Sequence, residues 1–320
     1  MKTIALPHTK SVSLSYNRSV SLSDLIRQSL IILLFIFLTL SCGSKPKREM
    51  QITTIHSNAK EMLESANASI LSGEYDKAAY FLDQASKLAM TVDDYDLLTS
   101  VALAYISLNL SYNPPLTKKA ESYLEKAKVY ASYSVDTDKN AALCAMNEAR
   151  IIIAEQDEKA DYPNVIRTLE RYQKVLRNDP YNEAQFESTM GDIYRVQKKY
   201  DDAETSYTRA AKLYTDNSYL SEIGITWYKI AQVRSLGNKK QPALNALDTA
   251  IFYDRAAENT LALGTDYYVK GIILLKGSPT ADEKAEAKYA FTHSAEIFTA
   301  AGNGMEQMAQ KSLAAAEEID

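Results

Sequence analysis

From about residue 50 onward, apolar and small residues recur at three- and four-residue spacing, and no stretch shows the period-two alternation of a half-buried strand. The pattern predicts an all-α body of thirteen segments, each roughly 15 to 22 residues long, joined by short turns. Pro114, Pro115, Pro163, Pro180, Pro242 and Pro279 all fall at junctions between periodic segments, where loops and first helical turns tolerate a missing amide hydrogen. Gly73, Gly237 and Gly277 each end a long periodic stretch.

The periodicity itself repeats. A small residue, a large one four positions later and a small one three beyond that occur at Ala78/Leu82/Ala85, Ala120/Leu124/Ala127, Ala203/Tyr207/Ala210, Ala243/Leu247/Ala250 and Ala287/Phe291/Ser294. The starts are 42, 83, 40 and 44 residues apart, and the gap of 83 holds a degenerate copy at 165–176 (VIRTLERYQKVL). Six helical pairs are implied. The unit containing Gly191-Asp192-Ile193-Tyr194, Tyr200-Asp201-Asp202-Ala203, Tyr207 and Ala210 resembles the tetratricopeptide repeat, as do Gly73-Glu74-Tyr75-Asp76-Lys77-Ala78 with Leu82 and Ala85, and Trp227, Ile230 and Ala231 ahead of Ala243. The period departs from that family, averaging about 42 residues against 34; longer first helices and loops such as 109–116 account for the excess. The resemblance implies a right-handed superhelical solenoid of about six pairs over 51–302. A last amphipathic segment within 303–320 (MEQMAQKSLAAAEEI) then covers its open apolar end.

Residues 1–41 follow different rules. Lys2, Lys10, Arg18 and Arg27 stand against one acid, Asp24, ahead of the apolar run 30–40, which is too short to cross a bilayer and suits a signal-peptide core. The run ends in Ser41-Cys42-Gly43-Ser44, which resembles the lipobox of bacterial lipoproteins, with Thr39 where that motif prefers Leu. The resemblance implies cleavage before Cys42, lipidation of that residue, and a cell-envelope location, anchored to a membrane and facing the periplasm or exterior. The segment 42–50 reads as a short tether, whose eight residues after Cys42 reach at most about 27 Å. Removing 1–41 takes away a net +3 from a formal charge of −5, leaving −8 on the mature chain. An acidic body with no basic cluster is not a general nucleic-acid binder.

Chemistry-bearing motifs are scarce. No Gly-rich phosphate loop, H-E-x-x-H or G-x-S-x-G occurs, and three His with two Cys supply neither a metal centre nor a disulfide framework. Neither a cofactor nor a metal is expected, and the chain does not read as an enzyme. Cys144 falls in an apolar segment and reads as a buried small hydrophobe; Asp93, Asp94 and Asp96 sit at a helix start, where acids cap. Trp227 reads as core. A helical-scaffold hydrolase would need two acids converging in a cleft, and the sequence marks no such pair.

In tetratricopeptide proteins the first helix of each pair lines a concave groove that receives a partner. By matching positions the resemblance places Leu63, Asn67, Ile70, Leu103, Ile106, Ser188, Asp192, Arg195, Tyr228, Gln232, Tyr268 and Ile272 on that groove. The family's Lys and Asn pattern for acidic chain termini is not matched. Together these readings imply a membrane-anchored adaptor lipoprotein that binds a protein or peptide partner in its groove, with a role in envelope protein assembly. The alternative is a periplasmic transporter-associated protein that passes a small ligand with a solute-binding protein, through a pocket lined by Leu103, Ile106 and Tyr228.

Overall fold

The computed structural model describes residues 54–156, 159–302 and 304–319. The segment 1–50, with the proposed signal peptide, the tether and Cys42, lies outside the described residues. Among the described residues all regular structure is helical: α1 (Thr54–Leu71), α2 (Tyr75–Thr91), α3 (Tyr95–Ser111), α4 (Thr117–Tyr133), α5 (Thr137–Glu155), α6 (Tyr162–Leu176) and α7 (Pro180–Val196) come first. Then follow α8 (Tyr200–Asp216), α9 (Leu220–Leu236), α10 (Lys240–Ala256), α11 (Thr260–Leu274), α12 (Ala281–Ala301) and α13 (Glu306–Glu317).

Turn chemistry sets the step. The starts of α7, α8, α9, α10 and α11, at Pro180, Tyr200, Leu220, Lys240 and Thr260, are 20 residues apart, each a 17-residue helix and a three-residue turn up to the last. In each turn the middle residue has positive φ, as at Lys198 (60°), Ser218 (62°), Asn238 (59°) and Glu258 (55°), and the next amide reaches back five residues. Lys199 N donates to Tyr194 O at 2.9 Å, and Lys198 N donates to Arg195 O at 3.0 Å. This is the Schellman arrangement, which satisfies carbonyls that the helix end would leave open. Two such steps make a 40-residue unit, whereas a 34-residue repeat with the same turns leaves roughly 14 residues per helix. The extra length is therefore in both helices of a pair, not chiefly in the first; the 112–116 loop before α4 adds to it as the sequence suggested, and so does the 275–280 connection before α12.

Lys198 and Glu258 adopt a backbone conformation in which a β-carbon is costly. Lys198→Gly is expected to stabilise the fold by about 0.5–1 kcal/mol, read as a melting temperature higher by a few degrees. An unchanged or lower value shows that Lys198 is not strained.

Consecutive helices pack in antiparallel pairs, and the odd-numbered helices also meet across pairs (α1 with α3, α3 with α5, α5 with α7, α9 with α11). This is the arrangement of a helical-repeat solenoid. The small-large-small pattern works as interdigitation. Ala78, Ala85, Ala120, Ala127, Ala203, Ala210, Ala243, Ala250 and Ala287 are all fully buried, and so are Leu82, Tyr207 and Leu247 between them. Gly191 on α7 faces the Tyr207 ring on α8, and Gly271 on α11 faces the Phe291 ring on α12, each too close for a β-carbon. In the degenerate unit, α6 carries no such alanines and holds on through Tyr162, Leu169 and Leu176.

α13 packs on α12 and closes the end of the array, with Ser312 hydrogen-bonded to Ser294 at 2.9 Å. The array also returns on itself. Gly73, in the turn between α1 and α2, lies against Met305, just before α13, and near Leu261 of α11. Met305 is buried there, beside Phe298 and Ala309. First and last units are therefore in contact.

Candidate functional site

Five odd-numbered helices, α1 to α9, line a partly open cavity of about 620 Å³. α1 contributes Leu63, Asn67 and Ile70; α3 Leu103, Ala104 and Ser107; α5 Leu143, Met146, Asn147 and Arg150; α7 Tyr181, Gln185, Ser188 and Asp192; α9 Glu222, Ile225 and Lys229. Tyr214 of α8 reaches it from behind. Side chains line this space because every odd helix turns one stripe toward its even partner and leaves the opposite stripe facing inward.

Hydrogen bonds tie neighbouring odd helices along the inner wall, at sequence separations close to the repeat. Lys229 Nζ donates to Ser188 Oγ at 3.0 Å and pairs with Asp192 Oδ2 at 2.8 Å, while the Tyr207 hydroxyl donates to Asp192 Oδ1 at 2.7 Å. Asp192 is thus held on both oxygens. Tyr181 donates its hydroxyl to Glu222 at 3.1 Å, and burial, reinforced by that carboxylate, pushes its ionisation up. Arg150 donates to Ser107 Oγ at 3.1 Å and Asn147 Oδ1 at 2.8 Å. Burial lowers its guanidinium from the ordinary value, with Asp192 pulling the other way. Tyr181, Tyr214 and Tyr219 form a mutually edge-on trio beside these groups.

Of the groove residues expected from the sequence, Leu63, Asn67, Ile70, Leu103, Ser188 and Asp192 meet in this cavity. The others lie outside it. Ile106 is fully buried in the core between α3, α4 and α5. Arg195, Tyr228 and Gln232 are half-buried elsewhere on α7 and α9, with Tyr228 packed against the core that α8 to α13 share. Tyr268 packs on Phe291 at 5.3 Å, with the Lys311 ammonium of α13 4.8 Å from its ring centre, and Ile272 is exposed. The pocket of the transport alternative, Leu103 with Ile106 and Tyr228, is not assembled: only Leu103 reaches the cavity. Arg150, Tyr181 and Glu222 were not legible as site residues, since Arg150 sits in the degenerate third unit and the other two belong to no motif.

The acids at the start of α3 are structural. Asp94 accepts from Leu97 N at 2.9 Å as its N-cap. Asp96 accepts from Val135 N at 2.9 Å and Asn140 Nδ2 at 2.7 Å, bracing the start of α5. Cys144 is buried, and burial pushes its thiol up to about 11, as an unreactive core residue would be. Trp227 is half-buried against two core clusters.

A pair of acids does converge, at a place the sequence did not mark. Asp254 of α10 and Asp266 of α11 are 0% and 1% exposed, and Asp254 Oδ2 and both Asp266 oxygens find no donor among the described residues unless one carboxyl is protonated and donates to the other. Asn259 Nδ2 donates to Asp254 Oδ1 at a long 3.4 Å. Gly224 of α9 leaves the room that the Asp254 carboxyl occupies. Burial holds both protons on well above the ordinary carboxylate range, Asp266 furthest because Asp254 also repels its charged form. Two carboxyls sharing a proton can remain together where two carboxylates cannot. The pair is sealed from solvent, so it is not the open cleft that acid-base hydrolysis requires.

Among the described residues no group of three or more His, Cys, Asp or Glu could hold a metal ion, and no helix is long and apolar enough to cross a membrane. No family model matches the chain, and no curated protein matches its sequence.

Proposed function

We propose that the protein is a tetratricopeptide-type adaptor of the bacterial cell envelope: a right-handed superhelical array, lipid-anchored through Cys42, that binds a protein or peptide partner on its inner face without catalysing a reaction. The carrying observation is the cavity of about 620 Å³ lined by five successive odd-numbered helices. Its wall mixes Leu, Ile and Met with Asn, Ser, Gln and charged groups, a composition suited to recognition. The acidic mature chain and the lipobox-like Cys42 support an envelope location and leave nucleic acid out. A second reading is favoured by the cavity's size, which is that of a small-molecule site: a transporter-associated protein that passes a small ligand with a solute-binding protein.

Cross-linking in native membranes tests the first reading. Asn67→Trp and Gln185→Trp, which fill the cavity from its rim, are expected to reduce cross-linked partner at least tenfold while circular dichroism stays unchanged. Lys87→Trp on the exposed face of α2 leaves capture intact. Capture at full strength by both cavity variants excludes the inner face as the working surface. In the same strains Cys42→Ser is expected to move the folded protein out of the membrane fraction, since stable anchoring takes more than one acyl chain.

A further inference from the structure

Two opposite charges in the cavity make no ion pair among the described residues, although Asp192 acts on Arg150 at longer range. Among the described residues Arg150 of α5 hydrogen-bonds only neutral groups, Ser107 and Asn147, through a single guanidinium nitrogen, and forms no ion pair. A guanidinium carries five N–H donors, so most remain unused. Glu222 of α9 accepts from the Tyr181 hydroxyl and pairs with no cation among the described residues. The other two charges on the wall, Lys229 and Asp192, neutralise each other at 2.8 Å. Tyr214 lines the same cavity with its ring edge-on to that of Tyr181, 5.9 Å away, and its hydroxyl donates to nothing among the described residues.

A half-buried charge without a partner is costly, because water is only partly available to solvate it. Arg150 and Glu222 stand too far apart to pair with each other, yet both line the same cavity as Tyr214 and Tyr181, whose hydroxyl bonds Glu222. A ligand that carries a carboxylate and an ammonium would neutralise both at once. Leu63, Ile70, Leu103, Met146 and Ile225 supply the apolar part of the remaining wall, among neutral Asn, Ser and Gln, and can take an apolar body. We propose that the cavity binds a zwitterionic amino acid with an apolar side chain, its carboxylate on Arg150 and Tyr214 and its ammonium on Glu222. Lone anions and lone cations are disfavoured, because either leaves one wall charge uncompensated. The proposal rests on the small-ligand reading of the inner face, and its ligand is a free amino acid or the two ends of a short peptide, which share this chemistry.

The purified chain is titrated with each of the twenty common L-amino acids and with Leu-Leu and Phe-Phe, following the melting temperature and then calorimetry for those that raise it. An apolar amino acid is expected to raise the melting temperature by several degrees at saturating concentration. Its methyl ester and its N-acetyl derivative, each lacking one charge, are expected to bind at least tenfold more weakly. A dipeptide that binds in place of the free amino acid identifies the second source. Arg150→Gln and Glu222→Gln each remove binding by tenfold or more and keep the parent's ligand-free circular dichroism. No shift with any probe overturns the proposal, and so does an N-acetyl derivative or ester that binds as well as the zwitterion. Partner cross-linking with Arg150→Gln separates the two readings: amino acid binding lost with partner capture retained leaves the adaptor reading standing on its own.

Discussion

At pH 8, Asp266→Asn melts several degrees above the parent chain, and the gap closes as the pH falls toward 4. Asp254 and Asp266 have folded-state pKa values raised above those of the unfolded chain, by burial first and by each other. The folded state therefore holds more protons. The stability that this proton contributes is fully present below the unfolded carboxylate value of about 4 and is lost as pH rises through the folded values. An amide at 266 offers a permanent N–H to Asp254, so the hydrogen bond no longer depends on a proton. Each pH unit is worth about 1.4 kcal/mol over that window, so the gain by pH 8 amounts to several kcal/mol. Superimposable melting curves for the two chains from pH 5 to 8 refute the shared proton.

Gly191→Leu is expected to cost about 3 kcal/mol, at the upper end of typical overpacking penalties. A β-carbon at 191 stands 2.5 Å from Tyr207 Cδ1, and that ring cannot swing aside, because it is fully buried and its hydroxyl is held by Asp192 at 2.7 Å. The higher helix propensity of Leu offsets less than 1 kcal/mol of this. Ala203→Leu, at another fully buried small position of the same pair, is expected to behave alike. Lys212→Leu on the exposed side of α8 removes only a surface pair with Asp216 and stays within about 0.5 kcal/mol. Equal midpoints for Gly191→Leu and Lys212→Leu in thermal unfolding contradict the interdigitated contact.

The interior of this fold was more legible than its punctuation. Ala203, Tyr207 and Ala210 are spaced for one helix face, and spacing of that kind can be read without knowing where a helix stops. The 20-residue step stayed hidden because the left-handed positions are filled by Asp93, Lys198, Ser218, Asn238 and Glu258, where Gly would have signalled a turn. Gly237 misleads by one position: its φ is −80°, and Asn238 beside it takes the positive value. The inner wall was legible on α1, α3 and α7, where repeat positions project onto it. It failed for Arg150, whose unit has lost the pattern, and for Tyr228 and Tyr268, which pack between neighbours. Nothing in a sequence distinguishes Asp266, sealed at 1% exposure, from the many solvated acids around it.

The contact between Gly73 and Met305 alters the boundary conditions of the whole array. In an open stack of repeats each unit couples only to its neighbours, so the two outermost units have half the support and fray first. Here the outermost units support each other, and melting must break a link that spans more than 200 residues of chain. Such a link couples the first helical pair to the last, so unfolding becomes more nearly all-or-none than the stacking of six pairs would make it.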